Sequence, residues 1–140
     1  MSDAAPRQPT EILHEGMSLT RTLGMRAVEA SIERVVIDMD WSPDLLTAGD
    51  LLHGGAVMAL ADSAGGLAAF MNLPEGALGT STIESKTNFI GGVKQGQTVR
   101  ATATPLHVGG STIVIETELR VGERLVAKVT QTQTVLRPRT

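Results

Sequence analysis

The chain has no cysteine and no tyrosine, and its 140 residues include only two phenylalanines and one tryptophan. Without cysteine there is no disulfide, no thiolate nucleophile and no thiolate-held metal, a composition suited to a reducing cytosol. So few aromatics leave no platform for stacking bases, and a net charge of −3 gives no basic field for a phosphate backbone. Nucleic acid is not an expected partner. Long apolar runs are also scarce. The longest lies within residues 51–71, and Asp62 and several glycines interrupt it. Nothing else approaches the ~20 apolar residues of a membrane span. The opening "MSDAAPRQPTE" lacks the basic-then-apolar layout of a signal peptide. The expectation is a cytoplasmic protein with no membrane partner.

What is present is a globular composition, 41% hydrophobic with 15 glycines, in one domain's length of chain. A polar lead-in with a short helix at 11–20 occupies residues 1–20, and the domain runs over 21–140. Within "RAVEASIERVVIDMDW", residues 26–41, Val35, Ile37 and Met39 alternate with Arg34, Asp38 and Asp40, the pattern of a half-buried strand. Pro43 and Gly49 break the chain into a loop. Residues 54–71 then read as a helix rich in Ala, Leu and Met, and "NLPEGALG" ends it. Residues 80–90, 97–108, 112–121 and 124–136 alternate with period two and are rich in Val, Ile and Thr, as antiparallel strands are. The fold class is α+β, with one long helix on a sheet of about five strands. A helix apolar on every side is more than one sheet face can cover, which points to a second copy of the chain.

Chemistry concentrates in "LLHGGAVMALADSAGGLAAF", residues 51–70. Gly54 and Gly55 open the helix, where N–H groups lack intrahelical partners and the dipole favours negative charge. That is the layout of an oxyanion hole. Asp62 follows Gly55 by seven residues, about 10 Å along the axis, too far for both to grip one carbonyl within a single chain. A partner with an antiparallel helix would bring its Asp62 beside this Gly55. Ser63, turned about 100° from Asp62, makes a poor partner for it.

These residues resemble the signature of hotdog-fold acyl-CoA thioesterases of the PaaI-like, phenylacetate-pathway group: an HGG opening the central helix and an acid nine residues after the His. "AGDLLHGG", "TSTIESKTNFIGGVKQG" and "ATATPLHVGGSTIVIETELR" continue the likeness in order, over about residues 23–137. The resemblance implies a hotdog fold, a long central helix wrapped by a five- to six-stranded antiparallel sheet, in homodimers that pair into dimers of dimers. It implies hydrolysis of acyl-CoA thioesters with no cofactor, CoA being part of the substrate. By position, Asp62 is the implied nucleophile or general base, Gly55 N–H the donor to the thioester carbonyl, His53 a residue shaping that site and Thr82 a hydroxyl that positions water. Thr47 stands where relatives often carry Asn or Gln, and Gly66 where others hold a hydroxyl. With Gly54, Met58, Asn88 and Phe89 these complete the implied substrate-binding set.

An apolar acyl pocket walled by Met58, Leu60, Leu67, Phe70 and Phe89 is expected, and Lys94, Arg137 and Arg139 are candidates for phosphate contacts. His14, His53 and His107 are scattered, so no metal site is expected. Two further readings stay open: a hotdog hydratase or dehydratase with a histidine partner such as His107, and a non-catalytic acyl-CoA binding protein.

Overall fold

The structure, a computed structural model, describes residues 6–139. Two short helices, α1 (Pro9–Gly16) and α2 (Ser18–Thr22), precede strand β1 (Arg26–Ala30) and strand β2 (Val35–Asp40). Helix α3 (Gly54–Met71) follows, then β3 (Gly79–Phe89), β4 (Thr98–Val108), β5 (Thr112–Val121) and β6 (Arg124–Leu136). The six strands form one antiparallel sheet in the order β1-β2-β4-β5-β6-β3. The helix runs over the residues that its composition predicts.

The alternating strand expected within 26–41 is β2, but the stretch holds a second strand, β1, and the two form a hairpin. Ser31 breaks the stretch: its N–H donates to Arg34 O at 2.9 Å, and its hydroxyl oxygen accepts from the N–H groups of Glu33 and Arg34. A side chain that satisfies two backbone donors offers the chain a turn in place of the ladder. The lead-in also carries two helices where one was expected, the first started by Pro9 and a reciprocal Gln8–Glu11 capping box.

Helix α3 packs across β2 to β6. Small side chains face each other there, Ala61, Ala64 and Ala68 from the helix with Ala101, Ala103 and Ala127 from the sheet, all fully buried. Ile37, Met39, Leu60, Ile113, Ile115 and Leu119 fill the remaining core. By length and composition α3 could cross a membrane, but half of it is buried inside this fold. It is a core helix.

On the outer face of the sheet, ion pairs bind neighbouring strands: Arg100 grips Asp38 at 2.7 and 2.8 Å, and Arg26 grips Asp40 at 2.8 and 3.0 Å. Hydrogen bonds from Arg26 and from Thr98 hold the Asp40 carboxyl below the ordinary carboxylate range. Strand β3 lies at one sheet edge, paired only with β6, and is mostly exposed on both faces. Ile83 and Phe89 on it, and Ile90 just past it, are more than half exposed.

Candidate active site

The start of α3 is fixed by the loop before it. His53 N–H donates to Leu45 O at 2.8 Å and Leu52 N–H to Val93 O at 3.0 Å, anchoring the approach to the helix. His53 is the N-cap, and its Nδ1 accepts from Gly55 N–H at 2.7 Å. Ala56 and Val57 both donate to His53 O. Of the four donors at this helix start, only Gly54 N–H has no partner among the described residues. The expectation of a free Gly55 N–H is therefore corrected: the imidazole occupies it. The tight fit needs glycine, because a Cβ on Gly55 would stand 2.9 Å from Nδ1. On the other side, a Gly54 Cβ would meet the Phe89 ring at 3.1 Å, which puts Phe89 beside the helix start.

Asp62 sits about two turns along α3, on its exposed side, with Met58 and Gly66 one turn before and after it on the same face. It is not buried in the single chain. Its Oδ1 accepts from the Thr82 hydroxyl at 2.7 Å and from Gln131 Nε2 at 3.2 Å. Thr82 in turn accepts from Gln133 Nε2 at 2.6 Å, and Gln133 Oε1 accepts from the Thr80 hydroxyl at 3.0 Å. Gln131 and Gln133 were not among the expected site residues. A signal for them exists in "VTQTQTV", residues 129–135: two amides take positions on the strand face that Val129 and Val135 share.

Strand β3 delivers Thr82 through an irregularity. Its register with β6 slips between Thr82 and Glu84, so Thr82 pairs with Gln133 while Ser85 pairs with Gln131. Such a bulge re-aims the residues around it. One consequence is that Asn88 lands on the opposite sheet face from Thr82, opposite Lys128 and accepting from Lys86 at 3.0 Å. Simple alternation would have set Thr82 and Asn88 together; the slip instead sets Asn88, one of the expected substrate contacts, on the other sheet face from Thr82.

Thr47 lies exposed in the loop before the helix, its N–H bonded to Leu51 O at 2.9 Å, and makes no hydrogen bond to Asp62 of its own chain. Leu60 belongs to the core and cannot wall a pocket. Arg137 donates to the carbonyls of Glu75 and Gly110, bracing the end of β6, while Lys94 and Arg139 are exposed. A cleft of about 360 Å³ opens beside the helix start, lined by Leu19, Leu23, Leu45, His53, Gly55 and Ala59 among others. It lies between α2, the loop and α3, and none of the expected acyl-wall residues Met58, Leu60, Leu67, Phe70 and Phe89 lines it. Among the described residues, no group of three or more His, Asp or Glu side chains could hold a metal ion.

Comparisons with known proteins agree with this architecture. Residues 49–128 match the thioesterase superfamily. A Bacillus subtilis (strain 168) protein named as an esterase, ComA2, is 35% identical over 97 residues, covering 69% of this chain and 76% of its own. The structure of thioesterase HI1161 from Haemophilus influenzae superposes with a TM-score of 0.83 at 24% identity, covering 94% of this chain and 93% of that one. A variant of the phenylacetic acid degradation protein PaaI from Thermus thermophilus gives 0.79 at 24% identity, over 85% of this chain and 99% of that one. The chain belongs to the thioesterase superfamily, a family of hydrolases, and carries a PaaI-like hotdog fold.

Proposed function

We propose that the chain hydrolyses acyl-CoA thioesters to a free acid and CoA, in an antiparallel homodimer with two shared sites. The observation that carries this reading is Asp62, a lone carboxylate on the exposed side of the core helix, held by Thr82 at 2.7 Å and Gln131 at 3.2 Å. It stands about 10 Å along the helix from the glycine-lined start of the same chain. Apolar side chains exposed around β3 leave that edge free to receive a second copy.

In this mechanism the thioester carbonyl takes the Gly55 N–H from His53 Nδ1 and meets the positive end of the helix dipole. Asp62 of the facing subunit then acts in one of two ways. Its oxygen attacks the carbonyl carbon, and the C–S pair departs as CoA thiolate to leave an anhydride that water cleaves. Or it takes a proton from water, whose oxygen attacks and expels the thiolate. The thiolate is a good leaving group, so neither route needs a strong general acid. The acyl group occupies the cleft beside the helix start, whose volume falls within the roughly 300–1,000 Å³ of small-molecule sites.

Within one subunit, no histidine among the described residues bonds to Asp62. His107, the histidine weighed for the hydratase reading, lies exposed near the end of β4 in register with Val114 and makes no hydrogen bond to Asp62. The test is free-thiol release from a panel of acyl-CoAs, with Asp62→Asn as the control. Thiol release by the wild type, falling about 10²–10⁴-fold in Asp62→Asn without loss of the oligomer, supports the reading. Hydration without thiol release, binding without turnover, or an Asp62→Asn variant at the wild-type rate each overturns it.

A further inference from the structure

We infer that Gln131 and Gln133 are positioning residues that, with Thr82, hold Asp62 by one oxygen and leave the other for the reaction. The inference rests on the hydrolase reading, in which Asp62 reacts. Both amides lie on the core face of β6, Gln131 fully buried and Gln133 1% exposed. Apolar residues would fill those places as Val129 and Val135 fill theirs, and a buried amide is tolerated only when it is hydrogen-bonded. What these two bond to leads to a single atom.

Gln133 is oriented from one side, its Oε1 accepting from Thr80, so its Nε2 faces Thr82 at 2.6 Å. Having accepted that N–H, the Thr82 oxygen directs its one proton to Asp62 Oδ1, 2.7 Å away. Gln131 Nε2 reaches the same Oδ1 independently at 3.2 Å. Oδ2 has no partner among the described residues. The carboxylate is thus clamped asymmetrically, one oxygen occupied twice and the other with its lone pairs open.

Folding alone does not account for the way Gln131 is accommodated. Its Oε1 is buried without a partner. The helix also gives up a side chain to it: a Cβ on Gly65 would stand 2.2 Å from that oxygen. A glycine inside a helix and an orphaned buried carbonyl both weaken a fold. Leucine at 131 and alanine at 65 would avoid both losses. The arrangement brings one N–H to Asp62, and fixing a reacting group in its attack geometry is where such a contact acts.

The experiment measures thiol release from the acyl-CoA that the wild type turns over fastest, in Gln131→Met, Gln133→Met, Thr82→Val and the Gln133→Met/Thr82→Val double variant. Each single change should lower kcat by up to about 10²-fold with KM nearly unchanged. Because Gln133 acts through Thr82, the double variant should be no slower than Thr82→Val alone, whereas independent structural defects would multiply. Thr82→Ser, which keeps the hydroxyl, should recover most of the rate. Gln131→Met should melt no lower than the wild type while losing kcat, and Gln131→Leu serves the same arm should methionine not fit. Wild-type kcat in the glutamine variants, multiplying losses in the double variant, or losses that follow the folded fraction would overturn the inference. Inactive Asp62→Asn beside fully active glutamine variants would sink the clamp alone. Active Asp62→Asn would instead sink the hydrolase reading.

Discussion

Gly55 N–H donates to His53 Nδ1 across 2.7 Å, so the histidine before the helix serves as its cap. A neutral ring that accepts at Nδ1 carries its proton on Nε2. The same N–H is the one the mechanism gives to the thioester carbonyl, which makes capping and catalysis competitors for one donor.

Gly55→Ala tests that competition. The added Cβ would lie 2.9 Å from Nδ1 and 3.1 Å from Cε1, forcing the ring aside and crowding the space a carbonyl would use. Thiol-release assays should show kcat reduced about 10²-fold, the scale of a misplaced reacting group, because alanine keeps the N–H but crowds the carbonyl's approach to it. The disturbed cap should also lower the free energy of unfolding by about 1 kcal/mol, read from urea titration. A variant that loses stability but keeps its rate would free Gly55 from the chemistry.

The cleft beside the helix start gives a second prediction. Ala59 lines it with Leu19, Leu23 and Leu45. Ala59→Phe fills space that the acyl group would use, leaving the helix start and Asp62 unaltered. KM should rise for long or aromatic acyl-CoAs, with acetyl-CoA nearly unaffected, as measured by steady-state kinetics over a series of acyl lengths. An equal effect at every length would move the acyl site elsewhere.

Much of this was legible in the chain itself. The helix over 54–71, the carboxylate within it and the glycines at its start follow from composition and local propensity, which act residue by residue. The four strands after the helix lie within one residue of their expected bounds for the same reason. What escaped is set by pairing between segments distant in sequence. The bulge at Thr82/Glu84 turns Asn88 outward, and period-two alternation cannot register a slip imposed by β6. Gln131 and Gln133 looked like two polar residues in a strand, because their partners, Asp62 and Thr82, are far away in the sequence. Ser31 was visible, but whether its hydroxyl would cap a turn depended on the β1–β2 pairing around it.

Stability should carry a modest acid-sensitive term at the sheet surface. Asp40 accepts from Arg26 at 2.8 and 3.0 Å and from Thr98 at 2.6 Å, which holds its folded pKa below the unfolded value. A carboxyl lowered in this way adds stability that is fully present above the unfolded pKa of about 3.9 and is lost as pH falls through the folded one. The pair is solvent-exposed, so Asp40→Asn should lower unfolding free energy by only about 0.2–1 kcal/mol at pH 7. Urea titrations of variant and wild type should converge as the pH drops below the folded value. A difference that persists unchanged in acid would mean the carboxylate charge is not its source.

The shared site can be tested by mixing two inactive chains. If Gly55 of one subunit works with Asp62 of the other, a hybrid of Gly55→Ala and Asp62→Asn chains has one site bearing both defects and one bearing neither. Random pairing of equal amounts, by co-expression with distinct tags, should therefore restore about a quarter of wild-type activity per chain. Isolated hybrids should reach about half. Each parent alone has both sites damaged and stays inactive. Were the site built within one subunit, every hybrid site would keep one defect, and mixing would restore nothing. Charged residues at the β3 edge supply the matching control: Ile83→Lys, on an edge that pairs only with β6, should split the dimer and abolish thiol release together. Monomers that retain full activity would exclude any cross-subunit arrangement.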